Sequence, residues 1–141
     1  MTTHRDLDAW WKAIELVTLV YGITERFPKE ERYGLVSQMQ RAAVSVPSNI
    51  AEGAARGSIV EFLYFLRVSR GSLAELETLA IVSNNVGRLD DESKVTLLET
   101  IGRLSAILQG LITKLKRREN ASANKPTSQS PQRRKSNRPT T

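Results

Sequence analysis

Four stretches of the chain repeat apolar residues every three or four positions, which is the spacing of an amphipathic helix. The spacing predicts helices over about residues 6–27, 34–55, 58–83 and 91–118. Segments rich in Gly, Pro, Asn or Asp separate them and are typical of turns. Four such helices with short connections predict an all-α fold, an antiparallel up-and-down four-helix bundle. Residues 1–118 form the predicted bundle, and residues 119–141 form a predicted disordered basic C-terminal tail.

The first predicted helix has more apolar surface than one neighbouring helix covers. Its apolar residues fall into two adjoining stripes. The outer stripe contains Leu7, Trp10, Ile14, Val17 and Tyr21, and the inner stripe contains Ala9, Ala13, Leu16, Val20, Ile23 and Phe27. A face this wide, exposed on a small bundle, usually marks an interface. We therefore expect the protein to assemble with further copies of itself.

The third and fourth helices carry the clearest local signals. Ser58 and Glu61 form the pattern of a capping box and predict a helix start at residue 58. Gly71 and Ser72 lie in the middle of the third helix, where small residues predict close approach by another backbone. The fourth helix has an apolar row of coiled-coil type, which contains Leu97, Ile101, Leu104, Leu108, Leu111 and Leu115.

The second predicted helix is apolar over most of its circumference except for one narrow polar seam. At about 100° per residue, the six polar side chains fall within about 80° of one another. The polar seam consists of Gln38, Arg41, Ser45, Asn49, Glu52 and Arg56. Three uses remain open: an internal network or interface, a ligand or nucleic-acid contact, and a plain solvated face. Pro47 predicts a kink beside it, where Ser45 or Ser48 would compensate the freed backbone groups.

Composition removes several classes of function. The chain has 141 residues, no cysteine and one histidine, His4, so thiolate zinc sites and disulfides are excluded. A di-metal bundle site needs Glu-x-x-His on two helices, which a single histidine does not supply. The sequence contains no phosphate-binding glycine loop and no spacing that suggests a nucleophile with its base. We expect a protein that is not an enzyme and has no metal or cofactor.

No apolar run approaches the roughly 20 residues of a membrane span, and no signal peptide pattern opens the chain. We expect a cytoplasmic protein without a membrane partner. Charge is unevenly distributed along the chain. Residues 1–113 carry a net charge of −2 and residues 114–141 carry +8. The basic character therefore belongs to the C-terminal stretch.

That stretch contains the candidate nucleic-acid-binding residues. They are Lys114, Lys116, Arg117, Arg118, Arg133, Arg134 and Lys135. Disordered cations neutralise phosphates and release counterions, but they have no fixed geometry for reading bases. Arg41 and Arg56 would add to this only if the polar seam is exposed. The alternative is a solvated tail that keeps the protein soluble.

Two segments also resemble a known family. They run from Phe27 to Arg56, with the motif Ser45, Pro47, Asn49–Gly53, and from Glu61 to Leu79. Over about residues 6–115 the chain is similar to the bacterial rRNA-intervening-sequence proteins. The resemblance implies an antiparallel four-helix bundle that assembles as a homopentamer. A related branch, the accessory variability determinant of diversity-generating retroelements, binds nucleic acid and a reverse transcriptase through a basic surface. The slightly acidic bundle predicted here lacks such a surface.

Two functions follow from these observations as hypotheses. One is a nucleic-acid-binding accessory protein, with RNA or DNA as ligand and RNA favoured. The other is a protein–protein interaction scaffold that binds no nucleic acid. The neighbouring open reading frames discriminate between them. A coding sequence inside an rRNA gene or beside a reverse transcriptase supports the first function, and the absence of both supports the second.

Overall fold

The computed structural model describes residues 3–124, which form four α-helices. They are α1 (Asp8–Thr24), α2 (Leu35–Ala55), α3 (Ile59–Asn85) and α4 (Asp91–Ala123). One-turn 3₁₀ segments, His4–Asp6 and Lys29–Glu31, precede α1 and α2. Each helix packs against the next along the chain, and α4 packs back against α1. The predicted all-α up-and-down bundle is therefore confirmed.

The core contains one of the two apolar stripes of α1. All six inner-stripe residues are buried, and Leu16 and Val20 are fully covered. The outer stripe is only partly covered, and Tyr21 at its end is 48% exposed. The remaining large, fully buried side chains come from the other three helices; they are Met39, Ile50, Leu63, Leu66, Leu73, Leu76, Leu97, Leu104, Leu108 and Ile112. The bundle therefore buries one of the two apolar stripes of α1 and leaves the other only partly covered.

The apolar row of α4 departs from the predicted one at Leu111, whereas Leu115 at its end is buried as predicted. Ile112 is fully buried there, whereas Leu111 is only half-buried. A straight helix has 3.6 residues per turn, so a strict seven-residue repeat drifts around it by about 20° per repeat. After two repeats the drift amounts to about 40°, so Leu111 turns toward the edge of the buried side and Ile112 shares its place in the core.

Two helix boundaries also differ from the predicted ones. α1 ends at Thr24 because Arg26 and Phe27 donate to carbonyls three residues back, in a tightened final turn before Pro28. α4 extends to Ala123, so residues 119–123, predicted as disordered tail, are helical. Propagating an existing helix adds a hydrogen bond for each residue ordered. The rest of the predicted tail, 125–141, lies outside the described residues.

Ser72 is buried and bonded to Ser45 of α2, as expected where another helix comes close, but the other member of the small pair, Gly71, does not fit the predicted close approach. It is exposed, and a Cβ added there would meet no heavy atom within 4 Å. The close approach lies at Gly53 instead, where an added Cβ would stand 2.8 Å from the Cβ of Phe65. The packing therefore requires glycine at position 53, where α2 crosses α3 near the end of the bundle.

The connection between α3 and α4 is fixed by side-chain hydrogen bonds. The Asn84 amide donates to the Leu89 carbonyl at 3.0 Å and to the Asp91 carboxylate at 2.8 Å. Asp90 occupies the position before α4, where the neighbouring Ser93 hydroxyl lowers the pKa of the Asp90 carboxyl from its usual value. These contacts define the start of α4.

Within residues 3–124, α4 is the one helix that is long and apolar enough to cross a membrane, judged by length and composition alone. A core helix of a bundle meets the same criterion. The apolar side of α4 is the buried row that packs against the rest of the bundle. The bundle covers part of this apolar stretch, since 28% of its most apolar 18-residue window is buried.

Candidate nucleic-acid interface

The polar seam lies along the contact between α2 and α3. The hydroxyls of Ser45 on α2 and Ser72 on α3 are 2.8 Å apart and hydrogen-bonded. The Asn49 amide donates to the Ser45 hydroxyl at 2.9 Å and to the Ser45 carbonyl at 2.8 Å. Ser45 and Asn49 are half-buried. The centre of the seam is thus a helix–helix network, which was one of the three readings left open.

The predicted bonds from Ser45 or Ser48 to backbone groups near Pro47 do not form. The buried Ser69 of α3 donates to the carbonyl of Val46 at 2.9 Å, directly beside Pro47. Ser45 is instead engaged with Ser72, and Ser48 is exposed. The Ser69 bond therefore joins α3 to α2 beside Pro47, but the carbonyl that Pro47 leaves without an intrahelical donor is that of Ala43, four residues earlier.

The two ends of the polar seam are exposed. The Arg56 guanidinium forms an ion pair with Glu52 at 2.7 Å and lies over the Phe65 ring, 5.1 Å from its centroid. Gln38 and Arg41 are exposed near the other end. Arg56 is therefore already paired with an anion, whereas Arg41 takes part in none of the ion pairs of residues 3–124.

Arg41 belongs to a broad concavity on the outer side of α2. The concavity has a volume of about 690 Å³. Tyr21 from the outer stripe of α1 forms one wall, and the 88% exposed Tyr33 forms another. Val44, which is 40% exposed, lies between them. This surface continues the uncovered apolar face of α1.

Four cations follow one another closely near the end of α4, and all four side chains are exposed. We call Lys114, Lys116, Arg117 and Arg118 the basic cluster. None of the three ion pairs within residues 3–124 involves a member of the cluster. The other predicted nucleic-acid residues, Arg133, Arg134 and Lys135, lie outside the described residues.

The basic cluster divides into two members that line a cleft and two that do not. Lys114 and Arg118 are four residues apart and share one side, as (i, i+4) pairs do. Both line a cleft at the end of the bundle. Lys116 and Arg117 do not line it. We call this cavity of about 490 Å³ the end cleft.

The end cleft is assembled from separate segments of the chain. Leu7 comes from the start of α1, Phe62 from the first turns of α3, and Leu111 from α4. Gly57, with φ of +81°, turns the chain between α2 and α3 in a conformation that favours glycine. The remaining lining residues are Thr3, Asp6, Gly53, Ala54, Ser58, Ile59 and Leu115.

Local bonds fix the walls of the end cleft. The Ser58 hydroxyl accepts from the Glu61 amide at 3.1 Å, which is one half of the predicted capping box. The Glu61 carboxylate accepts from the Ser58 hydroxyl at 3.1 Å instead of from the Ser58 amide. On the α1 side, the Asp6 carboxylate accepts from the Thr3 amide at 2.9 Å. The Trp11 indole donates to the Arg5 carbonyl at 2.9 Å and holds this N-terminal turn against α1. The cleft is therefore a formed feature of the fold.

Sequence reasoning missed the end cleft. The spacing of Lys114 and Arg118 placed them on one side of a helix, but nothing local indicated which residues would face that side. The part of the chain that the structure describes contains no group of three or more His, Asp or Glu able to hold a metal ion.

The fold and this site define a class of protein, a four-helix up-and-down bundle whose α4 ends in exposed cations beside a cleft. The model of the 23S rRNA-intervening sequence protein family matches residues 5–110, and the chain belongs to that family. The resemblance inferred from the sequence is thereby confirmed. No curated protein matches the chain.

A solved structure supports the same fold. It is a crystal structure of a protein of unknown function from the S23 ribosomal protein family of Bacteroides thetaiotaomicron. The similarity has a TM-score of 0.70 at 16% sequence identity, and it covers 74% of this chain and 95% of that chain. At this identity the likeness concerns the fold alone.

Proposed function

We propose that the protein is a non-enzymatic, homo-oligomeric accessory protein that binds RNA in the cytoplasm. The observation that carries this proposal is the basic cluster, four exposed cations within five residues near the end of α4. The family to which the chain belongs takes its name from the intervening sequence of 23S rRNA, which makes RNA the favoured nucleic acid.

The physical basis is counterion release. Each Lys or Arg that neutralises a phosphate displaces a condensed cation into solution, so binding strengthens as salt is lowered. The sequence adds five more cations beyond the described residues, at positions 125, 133, 134, 135 and 138. The basic cluster and the C-terminal stretch therefore form one continuous positive segment of the chain.

The proposed assembly uses the outer stripe of α1 as the contact between copies. Its residues from Leu7 to Val17 are half-buried, and Tyr21 continues into the concavity with Tyr33 and Val44. A second copy covering this face would remove apolar surface from water. The family resemblance favours a closed ring, a homopentamer. Several basic segments on one particle raise the local concentration of phosphate-binding sites.

The test is a salt titration of binding to a single-stranded RNA. Three proteins are compared: the full chain, a truncation lacking residues 119–141, and a variant with all four members of the basic cluster changed to Ala. Removing four cations lowers the slope of log K against log salt by up to about 3, at about 0.7 for each phosphate on a single strand. The truncated protein is expected to bind the RNA more weakly than the full chain at low salt.

The matched control removes the same charge from the opposite end of the bundle. It changes Arg26, Lys29, Arg32 and Lys94 to Ala, and we expect its RNA affinity to stay near that of the full chain. Equal losses in the two quadruple variants would contradict a role for the basic cluster. If the truncated and full chains bind equally at every salt concentration, the C-terminal stretch serves solubility alone.

Absence of RNA and DNA binding by the full chain at low salt would overturn the proposal. The protein–protein scaffold would then stand in its place, with the outer stripe of α1 and the concavity beside Tyr33 as its contact surfaces. A reverse transcriptase is a predicted protein partner of such a scaffold. Co-purification with a reverse transcriptase encoded near this protein tests the prediction.

A further inference from the structure

The end cleft has the size and the mixed chemistry of a ligand site. Small-molecule pockets in proteins usually measure about 300–1,000 Å³ and combine an apolar lining with a few polar groups. The end cleft has a volume of about 490 Å³. Phe62, Leu111 and Leu7 give it apolar walls, and each of them is half-buried in the structure.

Charge at the end cleft is positive on one side. Lys114 and Arg118 line the cleft from α4, and both side chains are exposed. Asp6 lines it from the N-terminal turn and carries the opposite charge. The two cations attract a phosphate to their side of the cleft. The Asp6 carboxylate repels an anion from the other side. The lining therefore favours a ligand with a phosphate at one end and a neutral, hydrogen-bonding ring at the other.

We infer that the end cleft binds one unpaired nucleotide of the RNA, with its base on the apolar wall and its phosphate between Lys114 and Arg118. An aromatic base buries its faces against apolar side chains, and the amino edge of a base such as cytosine suits a carboxylate such as Asp6. The inference rests on the proposed function and adds to it a defined site and a preference for single strands.

The division of the basic cluster provides the test. Lys114→Ala/Arg118→Ala and Lys116→Ala/Arg117→Ala each remove two neighbouring cations from the same stretch of α4. If charge alone attracts the RNA, the two double variants should lose the same amount of affinity for single-stranded oligo(C). The end cleft predicts that the first pair loses at least about tenfold more affinity, because stacking of a base there depends on the phosphate being held. The salt slopes of the two double variants are expected to be similar.

A second comparison tests the apolar wall without changing charge. Leu111 and Leu98 are both half-buried leucines of α4 that pack against the core, but only Leu111 lines the end cleft. Leu111→Ala is expected to weaken oligo(C) binding several-fold, because the base would lose apolar surface that it covers in the cleft. Leu98→Ala is expected to leave the affinity unchanged. Thermal melting of both variants confirms that each protein is folded in the assay.

Direct binding of cytidine monophosphate distinguishes a nucleotide from a free anion. In NMR titrations of the full chain, cytidine monophosphate should shift the amide resonances of Ser58 and Ile59, and inorganic phosphate at the same concentration should not. Equal losses of affinity in the two double variants, or no amide shift with the nucleotide, would overturn the inference that the end cleft binds a nucleotide. The proposed RNA binding would still stand. If the full chain binds no RNA at low salt, the proposed function itself fails.

Discussion

Gly53 is buried where α2 comes closest to α3. A Cβ added there would lie 2.8 Å from the Cβ of Phe65 and 2.9 Å from Cδ2 of Phe62. The Cβ of Phe65 is fixed to the α3 backbone and moves only if the helix moves. Gly53→Ala is therefore expected to lower the free energy of unfolding by about 1–3 kcal/mol, the usual cost of overpacking. Urea denaturation measures the change.

Gly71 is the matched control for this prediction. It is exposed in the middle of α3, and a Cβ added there has open space. Because alanine is a better helix former, Gly71→Ala should raise the free energy of unfolding by about 0.5–1 kcal/mol. Two substitutions with the same chemistry thus have opposite predicted signs. Destabilisation by Gly71→Ala would show that a second copy covers this side of α3.

Ser69 is fully buried and donates to the Val46 carbonyl at 2.9 Å, so it connects two helices beside Pro47. Ser69→Ala should cost about 1 kcal/mol, the typical net contribution of such a bond. Thr78→Ala is the comparison, because Thr78 is exposed and bonds only to Ala74 of its own helix. A change within about 0.5 kcal/mol is expected there. Similar losses at both positions would rule out a special role for the bond between helices.

At the scale of a whole helix, α4 shows which of two neighbouring residues belongs to the core. Ile112 is fully buried, and Leu111 is half-buried beside the end cleft. Ile112→Ala is expected to lower the free energy of unfolding by about 2–5 kcal/mol, and Leu111→Ala by roughly half as much. Urea denaturation of the two variants checks the order. A larger loss at Leu111 would favour the coiled-coil register predicted from the sequence.

The helices themselves were predictable because their signals are local. The pattern of Ser58 and Glu61 predicted the start of α3, and in the structure the Ser58 hydroxyl caps this helix by accepting from the Glu61 amide. The ends of helices were less predictable. α4 continues through residues 119–123 without apolar residues that pack on the core, because an established helix adds residues at little cost.

The candidate site was predictable only in part. The basic cluster is contiguous in the sequence, so its charge could be recognised directly. The end cleft brings Leu7, Phe62 and Lys114 together from distant segments, and no local pattern predicts such a meeting. The polar seam illustrates the same limit, because its partner Ser72 lies 27 residues from Ser45 and was noticed only as a small residue.

At the scale of the whole molecule, the outer stripe of α1 is the proposed contact between copies. Tyr21 is 48% exposed at the end of that stripe, and Val82 on α3 is 41% exposed away from it. Tyr21→Lys places an unpaired charge in the proposed contact between copies, where burial without a partner is costly. The mass of the Tyr21→Lys variant, measured by light scattering at micromolar concentration, is expected to fall toward that of one chain. Val82→Lys adds the same charge and should keep the mass of the full assembly. A monomeric mass for the unchanged protein would remove the proposed interface.

The position of the end cleft has a further consequence for the proposed ring. Rotation about an axis leaves the height of every point along that axis unchanged. The copies of the cleft would therefore lie on one circle, evenly spaced and facing the same way. A single RNA strand following that circle would meet an identical contact at regular intervals. Nuclease protection of such a strand should then repeat with a constant period, which a set of independent single chains would not produce.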